Sequence, residues 1–337
     1  DATSDADGTV AIGYTALTAL TSGARNTVVG YTAADALTTG GKNVVMGWNA
    51  LGAAAGGESF NVALGHDALG AVNEATNSRT ADQNIAIGHN ALYGGALAAS
   101  KDLTDNIAIG FQALDATGTN AQAGTIAIGS YALSACTSGA ENTCVGYQSG
   151  YGAVTNQQNT SLGFKAFHNV GHANGDSNVA VGYEAFMGGT GTATDNDSAN
   201  NVAIGFRALH QSSSADYNTA VGYGAGQLVT TGGGNIAIGG LAMDALTTGT
   251  QNVVIGVNAL GQATTAADDN IAIGAQSMGG GWTTADHNNS VAIGTQSMYG
   301  ALTAASSGTV AIGYQALTAA TTATATTAIG YKAGHLI

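Results

Sequence analysis

Large aliphatic residues alternate with small residues in short segments that each end at a glycine, as in Val10-Ala11-Ile12-Gly13. An aliphatic residue precedes every such glycine, and Ala or Ser follows three positions later. Successive glycines are 17 to 23 residues apart. A fixed minimum with occasional longer copies is typical of a solenoid, whose coils share one circuit and lengthen through outward loops. The eighteen glycines are Gly13, Gly30, Gly47, Gly65, Gly88, Gly110, Gly129, Gly146, Gly163, Gly182, Gly205, Gly222, Gly239, Gly256, Gly274, Gly294, Gly313 and Gly330.

The alternation before each glycine has a period of two, which predicts a β-strand and not a helix. One face of this strand carries Ile or Val, and the other carries Ala and the glycine, so both faces are apolar or small. We expect the large face to fill the interior of the coil and the small face to admit the backbone of another chain. The alternative is that the small face packs against the opposite wall of its own coil.

Four residues before the glycine, thirteen of the eighteen coils carry asparagine. Stacked asparagines can bond to backbone groups and to the asparagines above and below them, so this column predicts a structural ladder at one corner of the coil. The absence of proline from the chain fits a backbone ladder that continues on both sides. The ladder residues are Asn26, Asn43, Asn61, Asn84, Asn106, Asn142, Asn159, Asn178, Asn201, Asn218, Asn235, Asn252 and Asn270.

The recurring Asn-Ile-Ala-Ile-Gly segments, such as 84–88, 106–110 and 235–239, resemble the head repeat of YadA-like trimeric autotransporter adhesins. Runs such as Asn-Thr-Ala-Val-Gly-Tyr, 218–223, are similar to repeats of phage tail fibres. The resemblance covers nearly all of the chain and implies a left-handed parallel β-roll with three chains side by side. The coils here are longer and more variable than those of the adhesin heads. The resemblance therefore supports the fold more strongly than it supports the biological setting.

The expected fold is therefore an all-β parallel β-solenoid, a left-handed β-roll of about 18 coils, assembled as a side-by-side homotrimer. Residues 1–337 are expected to form a single repeat domain, with coils from Gly13 to Gly330. Because the chain begins with Asp1, we expect it to belong to a longer fibre.

The composition and net charge of the chain argue against several classes of function. Only 28 of the 337 residues are charged, and active sites are built from ionisable groups, so we expect no catalytic activity and no cofactor. The net charge of −14 argues against binding to nucleic acid or to an anionic membrane surface. No apolar run approaches the length of a membrane span. We expect an extracellular fibre or adhesin segment, on a cell surface or a virion, that binds a glycan or protein of a host or neighbouring surface many times weakly.

Two other functions stay open at this point. A copy placed directly after Ile337 would continue the glycine spacing at 20 residues, because Gly330 lies seven positions from the end and the first glycine is residue 13. The chain could therefore be the subunit of a filament with end-to-end stacking. The other alternative is a solenoid carbohydrate-active enzyme, which would need a groove of acidic, basic and aromatic residues.

Two acidic segments alternate oxygen ligands as calcium loops do, and they make Asp5, Asp7, Asp195 and Asp197 weak calcium candidates. Neither segment continues into a full ligand set, so solvated turns are the favoured interpretation. No other metal site is predicted.

The longest coils are expected to bear exposed loops, because additional length is tolerated only outward. The candidate partner-binding residues in these loops are Arg79, Asp82, Trp282, Asp286 and His287. Exposed Trp and Arg favour recognition, although tolerated sequence drift explains such loops equally well.

Cys136 and Cys144 both fall in columns that point into the coil, which predicts two buried free thiols and not a disulfide or metal pair. His66 and His89 occupy the position after the glycine, where most coils carry an aromatic ring, and are expected to replace Tyr there.

Overall fold

The computed structural model describes residues 6–73, 81–95, 102–117, 122–171, 175–189, 198–263, 267–280, 287–300, 307–319 and 325–335. They belong to two compact units, Asp1–Lys165 and Ala166–Ile337. In these ranges the chain forms short strands and turns and contains no helix. The protein is an all-β parallel β-solenoid, as the glycine-centred pattern predicts.

In the first unit, strands of three residues stack on one another in parallel, one strand per coil. Nine of the strands form this ladder, and each residue pairs with the residue at the same position of the next coil, such as Val10 with Thr27. β6 and β8 form a separate parallel pair. The strands are β1 (Val10–Ile12), β2 (Thr27–Val29), β3 (Val44–Met46), β4 (Val62–Leu64), β5 (Ile85–Ile87), β6 (Leu103–Thr104), β7 (Ile107–Ile109), β8 (Gln122–Ala123), β9 (Ile126–Ile128), β10 (Thr143–Val145) and β11 (Thr160–Leu162).

The second unit repeats the same coil. Its strands pair consecutively and in parallel, again with matching positions opposite each other, such as Ala203 with Ala220. The strands are β12 (Val179–Val181), β13 (Val202–Ile204), β14 (Thr219–Val221), β15 (Ile236–Ile238), β16 (Val253–Ile255), β17 (Ile271–Ile273), β18 (Val291–Ile293), β19 (Val310–Ile312) and β20 (Thr327–Ile329).

The orientation of the strands corrects one expectation. The small middle residue of the strand points into the coil, as Ala203 and Ala220 do with no exposed surface. The large residues on either side point outward, and Ile204 in β13 keeps 39% of its surface exposed. The prediction that the large face fills the interior is wrong, and the alternative, in which the small face packs inside its own coil, is correct. The interior also accepts Val at this position, since Val28, Val45 and Val254 are at most 1% exposed.

The wall after the glycine supplies the rest of the core. Ala208 and Leu209, three and four residues beyond Gly205, are both fully buried. Leu209 has a left-handed backbone with a φ of 47°, and so does Arg207 with a φ of 52°. Residues of positive φ at every second position turn the chain within a few residues. The backbone of this turn is bonded to the neighbouring coils, since Leu209 N donates to Ala225 O at 3.0 Å and Arg207 N to Tyr183 O at 3.0 Å.

Candidate functional site

The asparagine column forms a buried ladder of hydrogen bonds within each unit. Asn235 illustrates one rung. Its Oδ1 accepts hydrogen bonds from the backbone N–H and the Nδ2 of Asn252, at 3.0 and 2.9 Å, and its own Nδ2 donates to Gly249 O at 2.8 Å. All thirteen predicted asparagines are at most 1% exposed, so water cannot replace these partners. This column therefore holds coils together and offers no surface for a ligand.

Hydroxyl residues replace asparagine in some coils and keep part of the pattern. Thr125 N donates to Asn106 Oδ1 at 3.0 Å, and Ser290 N donates to Asn270 Oδ1 at 3.1 Å. At the start of the first unit, Thr9 Oγ1 accepts from the backbone N–H of Asn26 at 3.3 Å. The column requires an acceptor for the next backbone N–H, and Thr or Ser can supply it.

Within each unit, the outward residues of the strands form a partly exposed face that is mainly apolar. In each coil this face consists of the residues three and one before the glycine, joined by the residue that follows it. Val44, Met46 and Trp48 are 44%, 53% and 47% exposed in one coil of the first unit. Ile236 and Ile238 are 37% and 38% exposed in the second unit. We call these three columns the apolar face.

Aromatic rings line one edge of the apolar face and stack from coil to coil. In the second unit, Tyr183, Phe206 and Tyr223 stack with centroids 5.2 and 5.1 Å apart. In the first unit, His66 and His89 stack 4.8 Å apart, and each also stacks on a further ring of the same column. The two histidines take the place of Tyr in this column, as their sequence position predicts. The stacks follow the strand spacing of about 4.8 Å, so they result from the coil repeat.

One cluster of charges lies beside the aromatic stack of the second unit. Glu184 Oε2 accepts a hydrogen bond from Arg207 Nε at 2.8 Å and lies 3.4 Å from His210 Nε2. Partial burial alone would raise the pKa of Glu184, but the hydrogen bonds from Arg207 and Tyr183, together with the charge of Arg207, hold it below its usual value. Burial and the charge of Arg207 also lower the pKa of His210. These contacts join neighbouring coils as a surface ion-pair network, which stabilises modestly.

The two cysteines are free and buried, as predicted. Burial raises the pKa of the Cys144 thiol to about 12 and raises that of Cys136 as well. Both sulfurs therefore stay protonated at neutral pH and are poor nucleophiles.

Most of the predicted loop residues lie outside the described residues: Asp5, Arg79, Asp195, Asp197, Trp282 and Asp286. Asp7 is exposed, and its backbone oxygen accepts from Arg25 N at 2.9 Å. Asp82 is half-buried and accepts from Ser59 N at 2.6 Å through Oδ1. His287 corrects an expectation, because it is only 1% exposed and its backbone oxygen accepts from Asn270 Nδ2 at 2.6 Å. Its side chain is therefore not part of an accessible surface of this chain.

Across the described part of the chain, His, Cys, Asp and Glu do not gather in any group of three or more that could hold a metal ion. The same residues include no helix with the length and apolarity that crossing a membrane requires. A comparison with models of protein families gave no match, and a search of curated proteins gave none either.

Proposed function

We propose that this chain is a non-catalytic segment of an extracellular fibre, a left-handed β-roll whose copies associate side by side as a homotrimer. The handedness and the threefold arrangement come from the resemblance to the YadA-like head repeats and tail-fibre repeats. The fibre serves as a spacer and attaches weakly, and many times over, to a glycan or protein of a host or neighbouring surface.

The observation that carries this proposal is the apolar face. Large aliphatic and aromatic side chains repeat on this face in coil after coil of both units, whereas monomeric proteins rarely expose contiguous apolar patches larger than a few hundred Å². A second copy of the chain is suited to cover this face, because its strands repeat at the same spacing as the strands of the first copy. Homomeric interfaces are also more apolar than the surrounding surface.

Sedimentation velocity tests the association. The wild-type chain is expected to sediment as a trimer, and the double variant Ile236→Glu/Ile238→Glu as a monomer, because two carboxylates would be buried in the interface without partners. The matched control is Ser214→Glu/Gln251→Glu, which adds the same charge at two exposed positions outside the apolar face and should stay trimeric. Circular dichroism verifies that all three chains keep the β-fold.

A monomeric wild-type chain, or a double variant that stays trimeric, would contradict the proposal. Assemblies that grow continuously with concentration would instead favour the filament of end-to-end stacked subunits.

A further inference from the structure

A cleft of about 240 Å³ opens on the second unit, across the four coils that contain β15 to β18. It follows the column five residues after the repeat glycine, which reads Asp244, Gly261, Gly279 and Tyr299 in these coils. Gly261 and Gly279, in neighbouring coils, have no side chains, so backbone forms the floor of the cleft between them. Asp244 lies at one end of this column and Tyr299 at the other. We call this cleft the notch. Asn258, Gln262 and Gln276 complete its lining.

The floor of the notch presents hydrogen-bond acceptors. A Cβ added to Gly261 would lie 3.1 Å from Asp244 Oδ1, 3.2 Å from the carbonyl oxygen of Asn258 and 3.3 Å from that of Leu241. A Cβ added to Gly279 would lie 3.0 Å from Gln276 O and 3.1 Å from Asn258 O. None of the seven lining residues is Lys or Arg. The notch is therefore suited to a neutral group with N–H or O–H donors, and not to an anion.

The first unit contains a second copy of this arrangement. The same column reads Asp35, Gly52, Gly70 and Tyr93 in four of its coils. Residues 35–53 and 244–262 are identical at 14 of 19 positions. The order of an acidic residue, two glycines and a tyrosine therefore occurs once in each unit.

In the first unit a side chain fills the notch. Asn49 folds over Gly52, so that a Cβ on Gly52 would collide with Asn49 Oδ1. Asn49 Nδ2 donates to Asp67 Oδ1 at 2.6 Å, which holds the carboxamide in place. The first unit thus shows that a primary carboxamide fits above the first of the paired glycines, Gly52.

In the second unit the counterpart of this carboxamide is not held in the notch. Asn258 occupies the position of Asn49, but Gln276 replaces Asp67. Gln276 is an uncharged amide, and its Oε1 accepts a hydrogen bond from Gln296 Nε2 at 2.9 Å. The open notch therefore differs from the filled one in the residue that the neighbouring coil places beside the asparagine.

We propose that the open notch binds the acetamido group of an N-acetylated sugar. The acetamido group has the carboxamide shape that fills the first notch, and Asp244 Oδ1 is positioned to accept its N–H. Asn258, Gln262 and Gln276 supply amides for sugar hydroxyls, and Tyr299 supplies an aromatic wall. The volume lies below the roughly 300–1,000 Å³ of pockets that enclose drug-sized ligands, so the notch takes one sugar residue of a glycan. The site lies within one chain and stands whether or not the chains associate.

Isothermal titration calorimetry of the full chain tests the ligand class. N,N′-diacetylchitobiose should bind weakly and saturably, with one site per chain and a Kd on the order of 1 mM. Cellobiose, which has the same linkage without acetamido groups, should bind at least tenfold more weakly. Equal binding of the two disaccharides, or no saturable binding of diacetylchitobiose, would overturn the proposal.

Two glycine variants test the location. Gly261→Ala places a methyl group on the floor of the notch and should weaken binding at least tenfold. The matched control is Gly240→Ala, since a Cβ there meets nothing within 4 Å, and it should leave binding unchanged. Unchanged binding by Gly261→Ala would overturn the assignment.

An exchange between the two notches tests the mechanism and stays informative if a glycine variant fails to fold. Gln276→Asp should draw Asn258 into the notch and abolish binding. Asp67→Gln should release Asn49, open the first notch and raise the stoichiometry from one site to two per chain. Stoichiometry that stays at one in both variants would overturn the proposed role of these residues. The sedimentation behaviour of the trimer is a separate readout, so the two proposals fail independently.

Discussion

At the scale of single residues, asparagine is suited to the buried corner of the coil because its side chain carries both a hydrogen-bond acceptor and a hydrogen-bond donor. Its oxygen must accept from the next coil, and its nitrogen must donate to a turn carbonyl, as Asn235 does with Asn252 and Gly249. Aspartate could not donate, and an aliphatic residue could do neither. Unpaired polar groups left in this buried column would cost about 1–3 kcal/mol each.

Asn235→Ala should therefore lower the free energy of unfolding by roughly 3 kcal/mol, because the backbone N–H of Asn252 and the carbonyl of Gly249 both lose their partner. Asn235→Thr is the matched control and should cost less, since Thr9 shows that a threonine hydroxyl can accept the next backbone N–H. Urea unfolding followed by circular dichroism measures both. Equal losses in the two variants would contradict the role assigned to the acceptor.

Asp115 gives a prediction about pH. Burial raises the pKa of its carboxyl, more than its hydrogen bonds with its own backbone and Ser134 lower it, and its Oδ1 is buried without a hydrogen-bond partner. A carboxyl whose pKa is raised on folding destabilises the fold while ionised. This cost is fully present at neutral pH and disappears as the pH falls through the raised pKa towards the ordinary value of 3.8.

Asp115→Asn should accordingly unfold at a higher urea concentration than the wild-type chain at pH 7, and the difference should vanish near pH 3.8. The control Asp7→Asn changes an exposed carboxyl and should have little effect at either pH. A gain for Asp115→Asn that grew as the pH fell would contradict the assignment.

At the scale of the elements, the period of two predicts the strands correctly, because each strand of the main ladders ends at the residue before a repeat glycine. The pattern could not assign the faces, since both are apolar or small. It also missed the left-handed residues after the glycine, such as Asn49 and Leu51, each with a φ of 52°. Backbone hydrogen bonds to neighbouring coils offset the strain of these left-handed residues. Local residue preferences do not predict such bonds, because the partners are distant in the sequence.

The sequence contains a signal for the notch that the repeat pattern conceals. The column five residues after the glycine looks like variable turn sequence when each coil is considered alone. The segments 35–53 and 244–262 are identical at 14 of 19 positions and share the acidic residue and the first glycine, and the next two coils of each unit continue the order with a glycine and a tyrosine. Which copy is open could not be predicted, because that depends on whether the neighbouring coil places Asp67 or Gln276 beside the asparagine.

The repeat glycine allows successive coils to stack closely, because it has no Cβ. Gly222 has a φ of 143°, and a Cβ there would lie 2.5 Å from the carbonyl oxygen of Gly239 in the next coil. Gly222→Ala should therefore lower the free energy of unfolding by roughly 3 kcal/mol through strain and overlap together. Gly240→Ala, where a Cβ meets nothing within 4 Å, is the control and should be nearly neutral. Urea unfolding that gave equal stabilities for the two variants would contradict the steric argument.

At the scale of the whole molecule, charge opposes the association that the apolar face favours. Each chain carries a net charge of −14, so three chains brought side by side repel one another. Raising the ionic strength from about 10 mM to about 150 mM shortens the Debye length from about 30 Å to about 8 Å and screens this repulsion. The proposed association through the apolar face needs no ion pairs between chains, so added salt should weaken the repulsion without weakening the attraction.

The proposed trimer should therefore become tighter as salt is added, with its dissociation shifted to lower protein concentration in sedimentation equilibrium. The variant Ile236→Glu/Ile238→Glu serves as the control and should stay monomeric throughout, because screening does not remove the cost of burying its carboxylates. An assembly that dissociated with added salt would instead be held by ion pairs between chains. In that case the apolar face would not be the surface through which the chains associate.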